Sequence, residues 1–118
     1  MDEALTPAVF HILLALLDRK KHGYGIMLEV ADATQGRFVM GPGTLYGTLK
    51  RMLAAGLIAE AGEKCDPDAG KERRRYYRIT THGRAAAQAE AARIEALGRA
   101  AVAKRLLKAR GFMIGAIS

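Results

Sequence analysis

Proline, glycine and capping residues cut this chain into segments of fixed order, and that order leaves few folds open. Thr6-Pro7 opens the first segment; threonine is a favoured N-cap, and proline suits the first helical position, where an N–H would have no partner. Leu5 before the cap and Phe10 at the fourth helical position can form a hydrophobic staple. Val9, Phe10, Ile12, Leu13, Leu14, Leu16 and Leu17 leave almost no polar face, which predicts a helix at the centre of the core. Arg19, Lys20 and Lys21 follow, where cations complement a helix C-terminus. His22-Gly23 breaks the chain, a second helix is expected from about Tyr24 to Gln35, and Gly36 ends it. Gly41-Pro42 starts a third helix that runs to Ala55, with Gly56 where a left-handed cap is wanted.

The second half changes character. Leu57 to Gly62 and Arg74 to Thr80 read as strands, separated by a turn-forming cluster, Asp66-Pro67-Asp68-Ala69-Gly70. On the second strand Tyr77 and Ile79 should face the core, and Arg74 and Arg78 the solvent. Thr80 or Thr81 caps a last helix that reaches about Arg110 before Gly111, roughly 45 Å of helix. Such a length exceeds what a small domain covers by itself. Alanine accounts for 22 of the 118 residues, so few large side chains carry the core. Ala87, Ala91, Ile94, Leu97, Gly98 and Ala101 give the last helix a face of small residues with two larger anchors, suited to a partner helix. Phe112, Met113, Ile114 and Ile117 form a short apolar tail.

The net charge of +7 is unevenly spread. The densest cationic stretch is Lys71 to Arg78, in which Arg73, Arg74, Arg75 and Arg78 alternate with Tyr76 and Tyr77. Cations beside aromatics suit a polyanion, because they displace counterions from phosphates. The third helix is also unusual. Leu45, Leu49, Met52 and Leu53 form its apolar stripe, whereas Gly43, Thr44, Gly47, Lys50 and Arg51 lie opposite, with Tyr46 and Thr48 at the edges. A plain surface helix would favour Glu and Gln there; small residues and cations suit close approach to another surface.

Enzyme and metal chemistry find no support. Gly70-Lys71 lacks the earlier glycine and the following Ser or Thr of a phosphate-cradling loop. Gly23-Tyr24-Gly25 and Gly41-Pro42-Gly43 follow no strand, Asp66 and Asp68 lack the bidentate Glu of a calcium loop, and Tyr77 stands in its place. His11, His22 and His82 lack ligand spacing, and the lone Cys65 excludes an internal disulfide. No catalytic residue, metal or cofactor is expected. The acidic Met-Asp-Glu start and the absence of a long apolar run predict a cytoplasmic protein.

Three helices, a two-stranded hairpin and a long final helix, in that order, predict a mainly α chain with a small β-hairpin, a winged helix-turn-helix. Residues 1–80 would form the DNA-binding domain, and 81–118 a C-terminal dimerisation helix with the apolar tail. In that fold the third helix enters the major groove and the wing reaches phosphates or the adjacent minor groove. These are the two surfaces already marked by their chemistry.

The residues also resemble a family. His22-Gly23-Tyr24-Gly25-Ile26, then Gly43-Thr44-Leu45-Tyr46 with Leu49, Lys50, Arg51, Gly56, Leu57 and Ile58, and finally Arg75-Tyr76-Tyr77-Arg78-Ile79-Thr80 with Gly83, are similar in order and spacing to the PadR family of transcriptional regulators. The resemblance covers about residues 5–85. It implies a dimeric repressor of the smaller size class, whose members often respond to phenolic or other hydrophobic small molecules. Where the family usually carries a larger, polar or basic residue this chain has Gly47, and it has no Trp for an aromatic ligand clamp.

The expectations are therefore specific. Thr44, Tyr46, Gly47, Lys50 and Arg51 on the third helix and Arg73, Arg74 and Arg75 on the wing should contact double-stranded DNA. A homodimer joined through Ala87, Ala91, Ile94, Leu97, Gly98 and Ala101 would place two recognition helices one DNA turn, ~34–36 Å, apart on an imperfect palindrome. An effector pocket is expected near Phe10, Leu14, Ile94 and Leu97, with Arg93 or Arg99 pairing an acidic group. The competing reading is an architectural DNA-binding protein with little sequence preference.

Overall fold

The computed structural model describes residues 5–65 and 73–108, with the side chains of residues 63–65 and 73 undescribed. The expected turn at Asp66–Gly70 and the tail from Gly111 lie outside the described residues.

The first three helices are α1 (Pro7–Ala15), α2 (Gly23–Ala33) and α3 (Pro42–Ala54), and the chain ends in α4 (Thr81–Ala103). The caps form as their residue types dictate. Thr6 Oγ1 accepts from Val9 N at 3.3 Å, His22 Nδ1 from Gly25 N at 3.0 Å, and Thr80 Oγ1 from Gly83 N at 2.9 Å. Ile12, Leu13 and Leu16 from α1 and its cap meet Ile26 and Val30 of α2 and Leu45, Leu49 and Met52 of α3 in one core. α1 is central to the core as expected, but Leu14 and Leu17 do not take part. Leu14 is exposed on the outer side of α1, and Leu17 is exposed beyond its C-cap Leu16.

The sheet has three strands rather than the expected two. β1 (Lys21–His22), β2 (Ile58–Cys65) and β3 (Arg73–Ile79) are antiparallel in the order β1-β3-β2. Two residues are too few to show a period of two, and β1 is defined by pairing Lys21 with Tyr77 and His22 with Tyr76. β2 runs past Gly62, where it was expected to end. The register slips by one residue between Glu60 and Glu63, and Gly62 takes φ +97° in the resulting bulge. Tyr77 is buried and Ile79 packs on the core, as alternation predicts.

Lys21 is buried, with its ammonium 2.6 Å from Asp18 Oδ1 and 3.2 Å from Glu29 Oε1. It also donates to the Ala15 carbonyl at the end of α1, the role expected of a cation there. This network ties α1 to α2 and withdraws Lys21 from the surface charge.

α4 is 23 residues, about 35 Å, and ends at Ala103 rather than near Arg110. Lys104 caps it and Arg105 turns the chain with φ +63°. Its start is pressed onto the sheet. Thr80 Oγ1 donates to the Gly56 and Leu57 carbonyls at 2.6 and 3.0 Å, and a Cβ on Gly83 would lie 2.0 Å from the Leu57 carbonyl oxygen. Only glycine fits that approach. Gly83, Ala87 and Glu90 are the buried residues of α4, whereas all of residues 91–97 are exposed. Ala87, expected on the partner-facing stripe, thus belongs to the core of its own chain. Its spacing from Gly83 places it on the face that meets the domain.

Candidate nucleic-acid interface

The outward face of α3 carries the residue types noted from sequence. Gly43, Thr44, Tyr46, Lys50 and Arg51 are exposed and Gly47 is half-buried. Thr48 is buried and donates to the Thr44 carbonyl at 2.7 Å. Arg51 Nη2 donates to Thr48 Oγ1 at 3.2 Å, which steadies the guanidinium along the helix. A Cβ at Gly43 would meet nothing within 4 Å, and one at Gly47 only the Arg51 Nη1 at 3.7 Å. Neither glycine is required by packing, so among the described residues the small outer face of α3 answers to no neighbour.

The start of α2 joins this face to the wing. The Tyr46 phenol lies against Gly23, where a Cβ would stand 2.6 Å from the phenolic oxygen. Gly23 therefore lets α3 seat its aromatic against the first turn of α2. From the other side comes Arg74, with Nη1 3.2 Å from His22 Nδ1 and its guanidinium 5.3 Å from the centre of the Tyr24 ring. Arg74 is thus half-buried on aromatic neighbours, not solvent-facing as expected from strand alternation. Tyr76 meets His22 edge-on at 5.3 Å, and Lys20 Nζ stands 5.8 Å from the Tyr76 ring centre. Arg75 pairs with Glu60 across the strands at 3.3 Å, both side chains well exposed. The side chain of Arg73 lies outside the described residues.

His22, Tyr24 and Lys20 join this surface although their local sequence does not mark them for it. His22-Gly23-Tyr24-Gly25 read as a helix start, and nothing local shows that β3 brings Arg74 to the same place. The signal that points to them is the aromatic at Tyr24, off the stripe of Ile26, Met27 and Val30 that fills the core side of the helix.

The remaining expected residues sit apart from this surface. Ala91, Ile94 and Leu97 of α4 are exposed, Leu97 by 58%, and Gly98 and Ala101 are half-buried. Of the expected effector pocket, Phe10 packs on the core, Leu14 is exposed, and Arg93 is already engaged by Glu90, its Nε 3.0 Å from Oε1. Arg99 pairs with Glu95 at 3.5 Å. The described residues do form a groove of about 540 Å³, but elsewhere, at the start of α2 between Arg19, Lys20, His22, Leu28 and Tyr76. Among the described residues no group of His, Cys, Asp and Glu could hold a metal ion, and no helix is long and apolar enough to cross a membrane.

Comparison with known proteins bears on the family and the fold. The family profile described as "Transcriptional regulator PadR-like family" matches residues 12–89. Transcriptional regulator Rv3488 of Mycobacterium tuberculosis is 36% identical over 89 residues, 75% of this chain and 77% of that protein. An uncharacterised protein of Lysinibacillus sphaericus is 36% identical over 74 residues, 63% of this chain, and the match spans 65% of that protein's length. A transcriptional regulator from Clostridium thermocellum has a similar fold, with TM-score 0.68 and 26% identity over 86% of this chain and 90% of that one. Bacillus subtilis PadR, solved in complex with operator DNA, shares the winged-helix fold at TM-score 0.59 and 19% identity, over 68% of this chain and 44% of that one. The chain therefore belongs to the PadR-like family, a family of transcriptional regulators and not of enzymes.

Proposed function

We propose that this chain is a homodimeric, sequence-specific DNA-binding repressor, cytoplasmic and released from its operator by a small hydrophobic or phenolic effector. Residues 1–80 read DNA and residues 81–118 join the protomers. α3 enters the major groove; Lys50 and Arg51 supply cations, Thr44 and Tyr46 supply hydroxyls, and Gly47 admits close backbone approach. Arg73, Arg74 and Arg75 of the wing meet phosphates. The observation that carries this reading is the convergence at the start of α2. Tyr46 from α3 and Arg74 from β3 both pack there, on Gly23 and Tyr24, so the groove-sized helix and the basic strand share one surface.

The exposed Leu14, Ile94 and Leu97 support the dimer and the effector site. Among the described residues these three large apolar side chains of α1 and α4 remain partly open to solvent, and covering what is exposed of each contributes on the order of 1 kcal/mol. The effector would occupy the seam where α4 of one protomer meets α1 and α4 of the other.

Selection of bound duplexes from a random DNA pool at fixed salt tests the reading. An imperfect palindrome is the expected product. Retained binding with no sequence enriched would leave an architectural protein instead, and absence of binding would refute both. A screen of hydrophobic acids and phenols for release from the selected operator tests the effector, and no release by any of them refutes that part.

A further inference from the structure

Glu90 is the point at which α4 leaves the domain. It is only 5% exposed, yet it carries a charge, and the seven residues after it all face outward. Its carboxylate is held from two directions. Leu5 N, ahead of α1, donates to Oε1 at 3.2 Å, and Arg93 on the next turn of α4 donates to both oxygens, with Nε at 3.0 Å. The Leu5 contact spans 85 residues of sequence and ties the segment before the first helix to the last. The Arg93 bonds lie within α4 and orient the carboxylate, whereas the Leu5 bond joins α4 to another segment, and such a directional bond fixes an angle more narrowly than an apolar contact, which tolerates sliding.

α4 is therefore anchored twice: at Thr80 and Gly83 against the β2 start, and at Glu90 against the segment before α1. From Glu90 to Ala103 the helix runs about 20 Å. A 10° swing about the first anchor, about 30 Å from the far end, would move that end relative to the domain by about 5 Å, more than the ~3.4 Å rise of one base pair. In a dimer joined through α4, a small change of angle at Glu90 would shift each DNA-reading domain by about a base-pair step.

We infer that Glu90 is a positioning residue that sets the half-site spacing the dimer recognises, by fixing α4 against the DNA-reading domain. The inference rests on the dimeric operator-binding reading above. Glu90 itself lies away from the DNA-facing surface and acts only through the angle of α4.

The test measures binding of the full-length chain to three kinds of duplex by fluorescence anisotropy. These are a single half-site, the palindrome the wild type selects, and the same palindrome with one or two base pairs added or removed between half-sites. Wild type should prefer its own spacing by about tenfold. Glu90→Leu should flatten that preference to about threefold or less while binding the single half-site as wild type does. Glu90→Gln, which keeps an acceptor for Leu5 but gives up the charge facing Arg93, should fall between. A Glu90→Leu protein that keeps the wild-type optimum and sharpness overturns the inference. So does one that loses half-site binding in proportion, because Glu90 would then merely support the core. A wild type without spacing preference refutes the dimeric reading and this inference with it, and that result is visible before any substitution is made.

Discussion

Gly83→Ala sets helix propensity against packing, and the structure decides the sign. Gly83 stands in the first turn of α4. In an unconstrained helix interior, alanine would be favoured over glycine by about 1 kcal/mol. Here the added Cβ would lie 2.0 Å from the Leu57 carbonyl oxygen, 2.9 Å from its carbon and 3.1 Å from Ile79 Cγ1. Relief requires helix and strand to part by about 1 Å, since nonbonded heavy atoms settle only beyond about 3 Å. The carbonyl cannot simply turn away, because it accepts from Thr80 N at 3.1 Å and Thr80 Oγ1 at 3.0 Å. Overpacking costs of about 1–3 kcal/mol, with weakening of these bonds worth roughly 1 kcal/mol each, outweigh the propensity gain. The net expectation is destabilisation by about 2–3 kcal/mol, or about 10 °C in Tm for a domain of this size. Thermal and urea unfolding followed by circular dichroism measure it. A Gly83→Ala protein as stable as wild type, or more so, would show that α4 docks less tightly than argued.

Lys50→Ala should weaken binding to all duplexes alike and reduce the salt slope of log K by about 1, if its ammonium meets a phosphate. Gly47→Leu should abolish operator binding with the melting curve little changed, since a Cβ there meets only the Arg51 guanidinium; unaltered affinity would remove α3 from the groove. Leu97→Asp should leave the fold intact, because the side chain is exposed, and convert a dimer to a monomer by light scattering at micromolar concentration; a persistent dimer would place the interface elsewhere. The Arg93 hydrogen bonds, joined by Leu5 N–H, hold the Glu90 carboxyl below the usual carboxylate range. A depressed folded pKa contributes stability above the unfolded value of about 4.3 that is lost as pH falls through the folded value. Glu90→Gln should therefore lose less Tm than wild type between about pH 5 and pH 3, and parallel curves would deny Glu90 that role.

What the sequence by itself determined was local in origin. Thr6-Pro7, Gly41-Pro42 and Thr80 set helix starts because a cap needs only its own turn. The stripe of Leu45, Leu49 and Met52 oriented α3, so its outward Gly, Thr and Lys face was readable before any tertiary contact was known. Element order then left the winged helix as the fold. Tertiary structure alone decided what depended on partners distant in the chain. β1 exists because β3 pairs with it, and Arg74 turned inward because that pairing set it beside His22 and Tyr24. Helical spacing assigned Ala87 to a partner-facing stripe, but the glycine at 83 lets α4 close on β2 and draws Ala87 into its own core. Glu90 gave no sign of burial, since a glutamate on an alanine-rich helix is ordinarily solvated. Its role depends on a backbone N–H 85 residues away, a distance in sequence that no local pattern spans.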